Sequence, residues 1–196
     1  PIPAAFGRAA PYFAHAAAIC PPAALLGALL ALRPPWLPAA ACRAASQLGA
    51  AYAFGSNAWL FRYGGKMFNV CKSHPDWLGK EAFSTLQAAC FPEYFALQIA
   101  SCLVALGGHL GAAGGGMDLP AIAMSIAILF GLVNILVLGP IMMPRMLAMY
   151  NENPPSGNGA GEALLPAAQA RKKFIVVHAI SMSINLLALI AVGVSI

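Results

Sequence analysis

Six polar side chains stand out inside long uncharged stretches: Asn57, Gln98, Asn134, His178, Ser181 and Asn185. Amides, hydroxyls and imidazoles donate and accept hydrogen bonds. Surrounded by apolar residues, they can bond one helix to another. They can also line a small polar pocket for a lipid headgroup, ion or cofactor. Their spacing favours one depth. Asn57 lies five residues before Arg62, Gln98 five after Glu93, His178 five after Lys173 and Asn134 six before Pro140. At 1.5 Å per helical residue, each sits ~7–9 Å from the same edge. His178, Ser181 and Asn185 follow at i, i+3 and i+7 and share one helix face. The first expectation is an interhelical polar layer, and a ligand pocket is the second.

His109 belongs elsewhere. It lies fifteen residues after Tyr94, near the opposite edge and ~15 Å from the height of His178. These two cannot share one haem iron, although His15 could match His178 in depth. A single imidazole can ligate a chlorophyll magnesium, and Gly108 leaves room for a ring. A hydrogen-bonded or interfacial histidine is the simpler role. The five cysteines show no CxxC pair and no metal-ligand spacing, so they read as small buried hydrophobes and no metal is expected. Neither HExxH, GxSxG nor a phosphate loop occurs. The six acids, Asp76, Glu81, Glu93, Asp118, Glu152 and Glu162, fall in loops or at helix ends. No intramembrane carboxylate is expected, and no enzymatic activity.

The elements that must carry these residues follow from the charges. Uncharged runs cover 9–32, 44–61, 94–117, 119–144 and 174–196. A membrane-crossing helix needs ~20 apolar residues, and only helices satisfy their own backbone in lipid. The last four runs read as spanning helices. The 9–32 run carries Pro11 and Pro21-Pro22, so it reads as a kinked span, a helix starting at Pro21 or a segment lying on a partner. Leu78, Phe83, Leu86 and Cys90 suggest an interfacial helix, with Pro92 in the first turn of the next span. Asp118 and Pro120 start another helix after the Gly-rich 111–116, and Pro140 should bend or end it. Residues 151–161 read as a polar loop, and 162–173 begin the last helix. Ala45, Gly49 and Ala53 form a small-residue stripe for close packing, as do Ala51 and Gly55.

The composition agrees. Of 196 residues, 60% are hydrophobic and 9% charged, with mean hydropathy +0.75. Soluble chains carry roughly 25% charged residues. So few charges cannot cover a water-facing surface, which excludes a cytosolic enzyme or a nucleic-acid-binding domain. The expectation is an all-α polytopic membrane protein. It is a four-helix transmembrane bundle over 41–196, preceded by a Pro/Ala-rich arm over 1–40 that can add a kinked N-terminal helix. Arg62, Lys66, Lys72, Lys80, Arg145, Arg171, Lys172 and Lys173 fall in two loops on one side. The positive-inside rule places loops 62–93 and 145–173 in the cytoplasm, matrix or stroma. The chain opens on Pro1, and PIPAAFGRAA holds one Arg and no acid. That resembles the mature side of a cleaved targeting peptide and favours an organelle.

Four segments carry a family resemblance. They are FGSNAWLFRYGG (Gly55, Asn57, Trp59), CFPEYF (Phe91, Pro92, Tyr94, Phe95), LVNILVLGP (Asn134, Pro140) and FIVVHAISMSINL (His178, Ser181, Asn185, Leu186). From about residue 44 to 196 the chain resembles the transmembrane protein 205-like family. That resemblance implies a four-helix membrane fold with no established enzymatic activity; some members are associated with drug resistance and vesicle traffic. Two positions depart from the family pattern: Gly139 stands where a Glu precedes the proline, and Ala179 where a Gly follows the His. Without that carboxylate, an ion-handling role has no support here.

These features lead first to a non-enzymatic accessory subunit. It would pack on other membrane subunits and lipids in an organellar energy-converting complex, a photosystem of the thylakoid ahead of a respiratory complex of the inner mitochondrial membrane. The alternatives are a small-solute carrier or exporter using the polar layer, and a subunit binding chlorophyll or lipid.

Overall fold

The structure, a computed structural model, describes residues 13, 14, 16–74, 80–150 and 167–196. Every regular element among them is helical. The first full helix, α1, spans Cys20–Leu32 and has its proline pair in the first turn. Proline is pre-shaped for that position and has no N–H to waste there. The helix stops at Arg33, whose left-handed backbone (φ 38°) turns its N–H back onto the Leu29 and Leu30 carbonyls. Its 13 residues cover ~20 Å, too short to cross a ~30 Å hydrocarbon layer upright. A helix begins at the proline pair, and residues 13, 14, 16 and 17, ahead of a turn at 18–19, are helical as well; Pro11 and His15 lie outside the described residues.

Helix α2 (Ala39–Ser73) follows Pro38 and runs for 35 residues. Helix α3 spans Lys80–Ala113, with Pro92 inside it. The interfacial helix and the following span are therefore one rod, and Pro92 does not open a new one. The inward face also differs from the expected one: Phe83, Ser84 and Ala88 are buried, whereas Leu86 and Cys90 are exposed. Phe83 meets Phe68 of α2 with ring centroids 6.2 Å apart, and Ala88 packs with Met143 and Met146. Tertiary packing thus overrides the local pattern. Leu78 lies outside the described residues.

Gly114 and Gly115 end α3 with φ of 79° and 94°, a backbone region open to glycine. The Gly115 N–H closes the helix onto the Leu110 carbonyl at 2.9 Å, as in a Schellman motif. Asp118 then caps α4 (Leu119–Val133) by accepting from the Ala121 N–H at 3.2 Å. Pro140 does not end this helix. A π-helical turn, Asn134–Leu138, carries the rod into α5 (Gly139–Tyr150). The Gly139 N–H bonds the Asn134 carbonyl, shifting the ladder by one residue just before proline. The last helix, α6, spans Ala167–Ser195. The polar loop 151–161 lies outside the described residues.

Helix α2 packs on α3 and α6, α3 on α4, and α4 on α6, while α1 lies along α3. Ala50, Ala53, Cys102, Ala105, Met124, Ala127, Ala188 and Val192, from α2, α3, α4 and α6, share one core. The outward faces are apolar too: Ile122, Ile126 and Leu129 of α4 and Ile175, Val176, Ile190 and Val194 of α6 are exposed. A contiguous apolar exterior suits lipid or another protein, not water. Among the described residues, three stretches are long and apolar enough to cross a membrane: Ala82–Ala113, Leu119–Met146 and Lys172–Ser195. The middle of α2 is not among them. It is rich in Ala, Gly and Ser, with Gln47 and Asn57, and holds few large aliphatic side chains, Leu48 and Leu60.

Candidate functional site: a buried polar layer

The polar layer forms one turn from the shared core. Asn57 follows Ala53 by four residues, Gln98 precedes Cys102 by four and Asn185 precedes Ala188 by three. Each step runs toward the end that carries Arg62, Lys66, Lys72, Lys172 and Lys173. Asn134 lies two turns beyond Ala127 in the same direction. Asn57, Gln98 and Asn134 are fully buried, and Ser181 and Asn185 nearly so.

Asn134 is the hub. Its Nδ2 donates to Oδ1 of Asn185 at 3.0 Å and to the Phe130 carbonyl at 3.1 Å. Its Oδ1 accepts from the Ser181 hydroxyl at 2.7 Å. One amide therefore joins α4 to α6 twice, and its contact with Phe130 anchors it where the π-helical turn begins. The shared face of Ser181 and Asn185 lets both reach the same partner, as their spacing of four requires. On the other side, Asn57 donates through Nδ2 to the Ala53 carbonyl at 2.8 Å and accepts from the Tyr94 hydroxyl. This joins α2 to α3. Tyr94 was legible as a reference point for depth but not as a participant. The missed signal is its spacing of four residues from Gln98, which puts both on one helix face.

Gln98 is brought into the layer but not into its bonds. Neither its Oε1 nor its Nε2 has a hydrogen-bond partner among the described residues. His178 sits at the edge. It is only half-buried and stacks on Phe174 of its own helix, with centroids 5.3 Å apart and an angle of 11°. Among the described residues it makes no interhelical hydrogen bond, unlike the expected interior member. His178 lies one turn beyond Ser181 toward the basic end, past the residues that bond Asn134.

His109 lies at the opposite end, as its position in the sequence requires. Its Nε2 meets Asp118 Oδ1 at 2.8 Å and Oδ2 at 3.0 Å. The imidazole thereby links the end of α3 to the cap of α4. The Ala121 N–H, and then His109, hold the Asp118 carboxyl below its usual range. This contact gives His109 a role that requires no pigment. No cluster of three His, Cys, Asp or Glu suited to a metal occurs among the described residues.

Close backbone approach supports the layer. A Cβ on Gly107 would lie 2.0 Å from the Gly27 carbonyl oxygen, and one on Gly111 would lie 2.0 Å from that of Leu30. A Cβ on Gly108 would lie 2.5 Å from the Cys42 oxygen, and one on Gly49 would lie 2.7 Å from the Ser101 oxygen. Helix α3 therefore holds α1 and α2 through positions that admit only hydrogen. Of the small-residue stripes, Gly49 and Ala53 face inward, whereas Ala51 and Gly55 face outward.

Comparison with known families gives one match: a domain of unknown function (DUF4149) over residues 48–151. No curated protein and no solved structure matches the chain.

Proposed function

Because the chain belongs to the DUF4149 family, whose match spans the helices carrying Asn57, Gln98 and Asn134, we propose that it is a non-enzymatic accessory subunit of a larger membrane assembly. The observation that carries this reading is how the interior polar groups are used. Asn57, Tyr94, Asn134, Ser181 and Asn185 bond to one another or to nearby carbonyls. A carrier would need such groups turned toward a solute path. The apolar outward faces then provide the surface for neighbouring subunits and lipids.

In this reading α2 crosses the bilayer as a fourth span, and the basic end faces the cytoplasm, matrix or stroma. Polar residues that point into a bundle can lower the apolarity of a span without exposing polarity to lipid. Three of the four segments that resemble transmembrane protein 205-like proteins lie within 48–151. That overlap supports the finer family assignment. Organellar energy-converting complexes are the first assemblies to test, with thylakoid ahead of mitochondrial inner membranes.

The test is native electrophoresis and co-purification of a tagged full chain from its own membranes in a mild detergent. The expected result is migration in a larger complex with stoichiometric partners. A free monomer over a range of mild detergents would overturn the proposal.

A further inference from the structure

Helix α2 turns a different face outward from the other long helices. The large hydrophobic side chains that α4 and α6 expose are Ile, Leu and Val. On α2, Tyr52, Trp59 and Tyr63 are exposed instead, with Arg62 and Lys66 exposed beside them. Steps of seven, four and three residues put Tyr52, Trp59, Tyr63 and Lys66 on one helix face, and Arg62 lies one turn before Lys66. Trp59 and Tyr63 stack, with ring centroids 3.6 Å apart and an interplanar angle of 29°. Lys66 Nζ lies 5.7 Å from the Tyr63 centroid, a cation–π contact that holds the ammonium over the ring. Between Tyr52 and Trp59, Gly55 leaves a gap: a Cβ there would meet no atom within 4 Å. The cations have no acidic partner. The ion pair among the described residues, His109–Asp118, lies at the opposite end.

We propose that Trp59, Arg62, Tyr63 and Lys66 bind the headgroup of an anionic glycerophospholipid on the outward face of α2, with an acyl chain lying in the gap over Gly55. The site rests on the reading that α2 crosses the bilayer with its basic end at one membrane edge. Heights along the helix then fit a lipid. With Arg62 at the edge, Trp59 lies ~4.5 Å inside it and Lys66 ~6 Å outside. Tryptophan and tyrosine concentrate in that zone. Cations near the surface attract anionic headgroups, and two of them one turn apart bracket a single phosphate. A zwitterionic headgroup brings its own ammonium to the same place, where both cations oppose it. A soluble anion would use the cations alone, whereas Trp59 and the Gly55 gap lie on the hydrocarbon side, where a lipid reaches.

The test is fluorescence quenching in the full chain carrying Trp36→Phe and Trp77→Phe, which leaves Trp59 as its single tryptophan. The protein is reconstituted in vesicles of equal parts phosphatidylcholine and phosphatidylglycerol, with bromine on the acyl chains of one lipid or the other. The expected result is stronger quenching by brominated phosphatidylglycerol, corresponding to a preference of about fivefold, the factor that one cation contributes near an anionic surface. Arg62→Gln combined with Lys66→Gln should abolish the preference. Lys72→Gln combined with Lys172→Gln removes as much charge away from this face and should preserve it. Equal quenching of Trp59 by the two brominated lipids overturns the site and leaves α2 in the bilayer. Quenching by neither overturns the crossing of α2 together with the site. An equal loss of preference in both paired variants also overturns the proposal, because the attraction then belongs to the basic end as a whole. Should the Arg62 and Lys66 variant fail to fold, the parent preference and its persistence in the Lys72 and Lys172 variant decide.

Discussion

Asn134 carries more of the interior bonding than any other single residue described. Its replacement by leucine removes two contacts with α6 and leaves the Ser181 hydroxyl and Asn185 amide short of partners in an apolar setting. Interhelical hydrogen bonds in membranes contribute about 0.6–2 kcal/mol each, and orphaned partners add to the loss. Asn134→Leu is therefore expected to reduce stability by about 1–3 kcal/mol. Asn69→Leu, at an exposed position, should change it by less than about 0.5 kcal/mol. Reversible denaturation in mixed micelles measures both, and equal values would remove Asn134 as the hub. Depth and face at this scale were legible in the sequence, because charge positions and helical rise fix them. The pairing was not. His178 shared its periodicity with Ser181 and Asn185, yet it sits one turn further toward the basic end and takes no part in the Asn134 bonds. Tyr94 entered through its hydroxyl at a distance that spacing alone does not give.

Helices here are set by close approach more than by side-chain volume. Gly107 and Gly111 of α3 bring the Gly27 and Leu30 carbonyls of α1 to distances that exclude a Cβ. Gly107→Ala must push α1 away or shift α3, an overpacking change worth about 1–3 kcal/mol. Its expected signature is a lower unfolding midpoint together with faster thiol modification at Cys20, which lies at the start of α1 and reaches the Ala96 carbonyl from its half-buried position. Gly65→Ala meets no atom within 4 Å and should leave both readouts unchanged or be slightly stabilising. An equal response to both substitutions would contradict close packing of α1 on α3. The helix boundaries at Asp118 and Gly114–Gly115 were legible because cap chemistry is local. The continuity through Pro92 and Pro140 was not. Proline forbids one backbone bond, and whether a helix ends there depends on neighbours that pack around the gap. At Pro140 the chain also inserts a π-helical turn, for which the sequence carried no signal.

For the whole molecule, apolar faces point both inward and outward, and Arg62, Lys66 and Lys72 of α2 gather with Lys172 and Lys173 of α6 at one end, leaving Arg43 at the other. Membrane character was legible from composition, because a chain with so few charges has no other solvent. The number of crossings was harder to read. Among the described residues three helices meet the demands of length and apolarity, while α2 has the length and packs against α3 and α6 but is dominated by Ala, Gly and Ser with few large aliphatic side chains. The account's central claim is that α2 crosses as well, with Asn57 pointing into the bundle. The direct measurement uses single cysteines introduced by Trp36→Cys, Lys72→Cys and Gly115→Cys, after replacing the five native cysteines by alanine. Sealed membrane vesicles are then labelled with an impermeant thiol reagent from each side. The account predicts that positions 36 and 115 react from one side and position 72 from the other. Reaction of positions 36 and 72 from the same side would contradict it.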